Sequence, residues 1–136
     1  LTIPGGGSVR PMSPEVLDER LHKVHMKGQD IFKVAVKNLQ SSSQAALDDL
    51  GMTGDDLDFI CPHQANIRII DLAVQKLGLP REKMLVNIDR VGNTSSASIP
   101  ILLDESVRSG KVRPGDRVLM CALGAGISWG SAVVTV

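Results

Sequence analysis

The chain has 136 residues, 15 Lys and Arg against 15 Asp and Glu, and a hydrophobic fraction of 43%, which is one domain's length with enough apolar residues for a core. Balanced charge and a scarcity of aromatics (Phe32, Phe59 and Trp129) leave neither the basic stripe nor the stacking platforms that a nucleic-acid partner needs. No run approaches the roughly 20 apolar residues of a membrane span, and no signal peptide is visible. The two cysteines, Cys61 and Cys121, sit inside apolar runs and read as buried reduced thiols suited to a cytoplasmic protein, not as a disulfide scaffold.

Residues 1–27 form a loop-rich entry segment. Leu1–Arg10, LTIPGGGSVR, has no periodicity and punctuates itself with Gly and Pro. The first residue is Leu and not Met, so the numbering is expected to begin inside a longer gene product or after processing or truncation. Ser13-Pro14-Glu15 starts a helical turn, with Ser13 as N-cap and Pro14 at the first helical position. The alternation over His22–Met26 predicts a short strand, ended by Gly28.

Residues 28–136 carry the regular pattern. From Gln29 to Leu50, Ile31, Ala35, Leu39, Ser42, Ala46 and Leu50 recur at helical steps, and Gly51 supplies the stop. Leu57–Cys61 is an apolar run suited to a buried strand. Gln64–Leu77 has helical spacing, with Gly78 and Pro80 behind it. Met84–Ile88 predicts a second strand, Ser95–Ser109 a helix ending at Gly110, and Arg117–Leu123 a third strand. Gly124-Ala125-Gly126 turns the chain into a last strand, Ile127–Val136, antiparallel to the one before. Strands separated by helices predict an α/β fold, a mixed sheet with helices packed on it.

Two polar clusters follow successive strands at the edge where ligands collect in open α/β sheets. His63, in Cys61-Pro62-His63-Gln64-Ala65-Asn66, is aimed by the preceding proline; it is either a donor to a carbonyl oxygen or a structural loop histidine. Asn93, in Gly92-Asn93-Thr94-Ser95, is either a functional amide or a cap for the helix that follows. Leu123-Gly124-Ala125-Gly126 offers backbone N–H groups to an oxyanion, or is simply a tight hairpin turn. Helical spacing puts Gln64 and Arg68 on one face, where Arg68 is a solvated surface cation or a phosphate contact at the mouth of a site. Cys61, His63 and Asn93 also permit a Cys-His-Asn hydrolase, against which stands the placing of Cys61 mid-way through an apolar run.

Together these segments resemble a known family. Pro62-His63-Gln64-Ala65-Asn66-Ile67-Arg68-Ile69-Ile70 is similar to the histidine motif of β-ketoacyl-acyl-carrier-protein synthase III. Gly92-Asn93-Thr94-Ser95-Ser96-Ala97-Ser98-Ile99-Pro100 resembles its asparagine motif, and Gly124 to Ala132 its closing glycine hairpin, in the family's order. The resemblance implies a thiolase-like fold, of which this chain supplies one βαβαβ half, the C-terminal one. It implies a decarboxylative condensation of a short acyl-CoA with malonyl-acyl-carrier protein that starts fatty acid synthesis. His63 and Asn93 are then the catalytic donors to the malonyl thioester oxygen, and the Ala125 N–H the oxyanion donor at a cysteine that lies in the missing N-terminal half. Asn66, Arg68 and Gln64 are placed toward coenzyme A or the carrier protein, and Leu123 along the acyl channel.

By the same resemblance no resident cofactor or metal is expected. Coenzyme A and phosphopantetheine serve as substrate carriers, and the partners are acyl carrier protein, acyl-CoA, the N-terminal half and a second subunit in a homodimer. Alone, the chain is expected to be inactive and to self-associate or stay bound to its other half. A carrier-protein-binding or decayed subunit without catalysis, and a related condensing enzyme of secondary metabolism, are the alternatives.

Overall fold

The computed structural model describes residues 1–136 and separates them into two units, Leu1–Lys33 and Val34–Val136. In the first, Ser13 is extended and its Oγ accepts the Val16 N–H at 3.3 Å, starting helix α1, Pro14–Asp18. Helix α1 buries Val16 beneath Gly5, where an added Cβ would stand 2.6 Å from the Val16 side chain. The strand expected over His22–Met26 is reduced to one antiparallel bridge, His25 with Thr2. Arg20 takes a left-handed φ of 57°, and the N–H groups of Leu21 and Lys23 turn back to Val16 and Arg20, so the amides a ladder needs are spent in turns.

Helix α2, Gly28–Asp49, buries Ala35, Val36, Leu39, Ser43 and Leu47. Its inner face therefore rotates by one residue from the expected stripe beyond Leu39, replacing Ser42 and Ala46 with Ser43 and Leu47 and leaving Leu50 exposed. Leu47 offers more apolar area than Ala46, which decides the rotation. Gly51, at φ 64°, ends the helix, and the Met52 N–H closes on the Leu47 carbonyl at 2.9 Å.

The sheet of the second unit has three strands in the order β1 (Phe59–Pro62), β2 (Arg117–Gly124), β3 (Ser128–Thr135). β1 and β2 are parallel, with Cys61 beside Met120; β2 and β3 are antiparallel, with Met120 beside Ala132. Alternation along the strands then sorts the two faces. Phe59, Cys61, Val118, Met120 and Val134 share one face and pack with Leu102, Ile99 and Leu103 of helix α5, Ser98–Arg108. On the opposite face lie Cys121 and Ser131, where Ser131 Oγ shares hydrogen bonds with Ser42 (2.8 Å) and Ser43 (3.2 Å) of α2. Gln40 of α2 also donates to the Lys76 carbonyl at the end of helix α3, Ile67–Lys76. The result is a mixed sheet between helical layers.

The second expected strand, Met84–Ile88, is not formed. Met84 makes one parallel bridge to Ile60, and the Leu85 N–H reaches the Ile60 carbonyl at 2.9 Å. The amides of Asn87 and Ile88 do not continue the ladder. Asn87 N–H and Ile88 N–H both donate, each at 3.1 Å, to the side-chain Oε1 of Gln64, and the chain coils into the single turn α4, Ile88–Val91. A side chain has taken the place of a neighbouring strand.

Candidate active site

His63 is the first residue after β1, and its own N–H donates to the Cys121 carbonyl at 2.8 Å, so the loop leaves the sheet with its backbone still anchored. Its imidazole is half-buried, with Nδ1 2.5 Å from the Ser98 hydroxyl on α5. Burial holds the imidazole below its ordinary pKa of 6.5, because removal from water penalises the charged form. At neutral pH His63 is an uncharged ring with one nitrogen engaged and the other open.

Asn93 follows Gly92, which ends α4 at φ 67°. Its Oδ1 accepts the Ser95 N–H at 2.9 Å, an Asx turn that also fixes which end of the carboxamide is which. The oxygen is committed to the backbone and the exposed NH2 is the end left to donate. Ser95 pays with a left-handed φ of 56°, and a single 3-10 turn, Ser95–Ala97, leads into α5. Asn93 is thus not the N-cap of α5, whose flanking residue is Ala97. The Ser98–His63 contact joins the imidazole to this same segment.

Asn66 caps α3, its Oδ1 accepting the Arg68 N–H at 2.9 Å. Both residues are exposed, and Arg68 sits in the first helical turn. Ala125 lies in the exposed turn between the last strand pair, Gly124 and Ser128. The left-handed angles there fall on Gly126 (82°) and Ile127 (53°), so the Ala125 Cβ costs no strain. Leu123 is half-buried and faces Trp129 across the hairpin.

One expectation about the site is overturned. Gln64 does not stand on a helix face with Arg68, since α3 begins only at Ile67. It is wholly buried; its Nε2 donates to the Pro62 carbonyl at 2.8 Å and its Oε1 takes the two amides of the failed strand. A carboxamide with three hydrogen bonds made inside the protein and no exposed surface has no face to offer coenzyme A or a carrier protein. It pins the His63 loop from below. Cys61, read from its apolar run as a buried reduced thiol, is one, and it is no nucleophile. It is fully buried, its thiol points to the Ile99 carbonyl at 3.8 Å, and burial first, then Cys121, pushes its pKa up to about 12. A thiol so placed yields no thiolate at neutral pH, which removes the Cys61-His63-Asn93 hydrolase. Cys121, at about 12 for the same leading reason, is equally inert.

Sequence reasoning assigned no role to Ser98. Its only signal was a small polar residue within the Asn93 motif, one that α5 turns inward at 1% exposure.

Comparison with known proteins identifies the family and the fold. The family described as 3-oxoacyl-[acyl-carrier-protein (ACP)] synthase III C terminal matches residues 47–136. A β-ketoacyl-[acyl-carrier-protein] synthase III of Desulfitobacterium hafniense is 47% identical over 98% of this chain, and one of Symbiobacterium thermophilum is 50% identical over 96%. In each case the chain spans 40% of the relative's length. The crystal structure of 3-oxoacyl-[acyl-carrier-protein] synthase III from Aquifex aeolicus VF5 superposes with a TM-score of 0.82 at 43% identity, covering 85% of this chain and 37% of that one. A match over this much of the sequence, carried by the same mixed α/β layers, places the chain in the 3-oxoacyl-[acyl-carrier-protein] synthase III family, as a C-terminal part with the thiolase-like fold.

Proposed function

We propose that this chain forms the malonyl-side half of a condensing site. A short acyl group, delivered from acyl-CoA, is held as a thioester on a cysteine that this chain does not contain. Malonyl-acyl-carrier protein then loses carbon dioxide. The electron pair of the broken C–C bond passes into an enolate on the thioester and attacks the acyl carbon, expelling the cysteine thiolate. The reaction begins fatty acid synthesis.

The physical difficulty is the negative charge that gathers on the malonyl thioester oxygen as carbon dioxide leaves. Two neutral donors at that oxygen meet it, the free N–H of His63 and the NH2 of Asn93. One preorganised donor of this kind typically lowers a barrier by ~2.7–4 kcal/mol. Their neutrality matters, since a charged imidazole in a partly buried site needs a partner of its own. The single observation that carries the reading is that each side chain has its other end already committed, His63 Nδ1 to Ser98 and Asn93 Oδ1 to Ser95. Both are therefore pre-aimed. The Ala125 N–H stabilises the tetrahedral intermediate at the cysteine, Leu123 borders the acyl channel, Asn66 meets the pantetheine arm, and the exposed Arg68 meets the carrier protein.

The remaining partners follow from the same reading. The rest of the protein supplies the other half of the site and the dimer contacts; in support, relatives are far longer than this chain, and Trp129 and Ile127 stand half-exposed at the hairpin beside the edge strand β3. Coenzyme A and phosphopantetheine act as substrate carriers and not as resident cofactors. The buried free thiols suit the cytoplasm. The test is malonyl decarboxylation by the full-length protein with Asn93→Ala, where a fall of about 100-fold or more in rate is expected; an unchanged rate would overturn the proposal.

A further inference from the structure

We propose that Ser98 is a positioning residue that sets the tautomer of His63, keeping the ring proton on Nε2 and turning it into the site. This deepens the reading of His63 as a thioester-oxygen donor and rests on it.

A hydroxyl has one hydrogen and two lone pairs. Ser98 Oγ has two hydrogen-bond partners. The Gln64 N–H, a donor only, occupies a lone pair at 3.4 Å. The other partner is His63 Nδ1 at 2.5 Å. If Nδ1 carried the ring proton, both neighbours of the oxygen would be donors. The Ser98 hydrogen would then have no acceptor, at a position 1% exposed, and an unpaired buried hydroxyl is costly. With Nδ1 as acceptor every group is satisfied: the amide donates to Oγ, Oγ–H donates to Nδ1, and Nε2 keeps its hydrogen.

The same arrangement resists a doubly protonated ring, in which Nδ1–H would again face an oxygen whose hydrogen has nowhere to go. Ser98 reaches this place because α5 starts at it and turns it inward, while Gln64, clamped by Pro62, Asn87 and Ile88, fixes the amide that occupies the first lone pair. The chain of cause runs from the buried glutamine to the serine to the imidazole. Ser98 itself acts through His63 and not on the substrate.

The test is nitrogen-15 spectroscopy of histidine-labelled full-length protein, with kinetics of Ser98 variants. In the unaltered protein His63 is expected to show a protonated Nε2 and an unprotonated, hydrogen-bonded Nδ1; a protonated Nδ1 overturns the proposal without any variant. In Ser98→Ala the Nδ1 signal is expected to lose its hydrogen-bonded character, with kcat for malonyl decarboxylation falling about 10–100-fold, as for other partners that orient a histidine, and KM staying within about twofold. Ser98→Thr, which keeps the hydroxyl, is expected to restore tautomer and rate together. Normal kcat in Ser98→Ala with an altered Nδ1 signal also overturns the proposal. His63→Ala separates the layers: if it decarboxylates normally while the unaltered protein shows the Nε2–H tautomer, the reading of His63 as donor fails and the structural effect of Ser98 stands.

Discussion

The Ser98 hydroxyl on α5 stands 2.5 Å from Nδ1 of His63 at the end of β1, so two elements far apart in sequence converge on one imidazole. One end of the ring belongs to the protein and the other is free for chemistry. Asn93 repeats the pattern, with Oδ1 turned back on the Ser95 N–H at 2.9 Å. A site built of half-committed side chains loses little on binding, because its donors are already aimed.

Acidification should act through His63. Its folded pKa lies below the ordinary 6.5 that the unfolded chain shows. Between the folded value and 6.5 the unfolded state binds more protons, so stability rises with pH through that window and is complete above it. Falling pH removes it. Denaturant midpoints taken from about pH 7.5 down to about pH 5 should decline in the unaltered protein and decline less in His63→Gln. An identical decline in both would contradict the placement of His63.

Gln64 should behave as a core residue. Gln64→Leu leaves the Asn87 and Ile88 amides and the Pro62 carbonyl without partners, and should cost about 2–4 kcal/mol in urea unfolding. A loss under about 0.5 kcal/mol, the range of surface changes, together with weaker carrier-protein binding, would restore the binding role that its burial denies.

These outcomes bear on what the sequence could show. The order of helices and strands was largely legible because apolar spacing and glycine stops are local signals, and the antiparallel pairing of the last two strands followed from the tight glycine turn between them. The strand over Met84–Ile88 was not legible, because Gln64, a residue distant in sequence, captures its amides. For the same reason Gln64 was misread: helical spacing placed it beside Arg68, whereas α3 starts only after the Asn66 cap. His63 and Asn93 stood out by type and position after strands. Ser98 did not, since a serine in a run of small residues gains meaning only when α5 brings it to the ring.

Arg68 should report on the carrier and not on the chemistry. Arg68→Glu is expected to raise KM for malonyl-acyl-carrier protein about tenfold, equivalent to ~1.4 kcal/mol, and to weaken the salt dependence of that KM. KM for a small malonyl thioester should be unaffected. Equal effects on both substrates would place Arg68 in the fold's stability instead.

Cys61 should stay unmodified. With a pKa near 12 and no exposure, it should resist alkylation in native protein for as long as the fold holds, and react once denatured. Rapid native labelling of Cys61 by a thioester-based alkylating agent would bring back the hydrolase.

The most direct measurement is the rate of carbon dioxide release from malonyl thioester by full-length protein carrying His63→Ala. A fall of about 100-fold or more is expected, the loss of one preorganised donor, with KM little changed and the fold intact by circular dichroism. Carbon dioxide release at the unaltered rate would contradict the reading of His63 as donor.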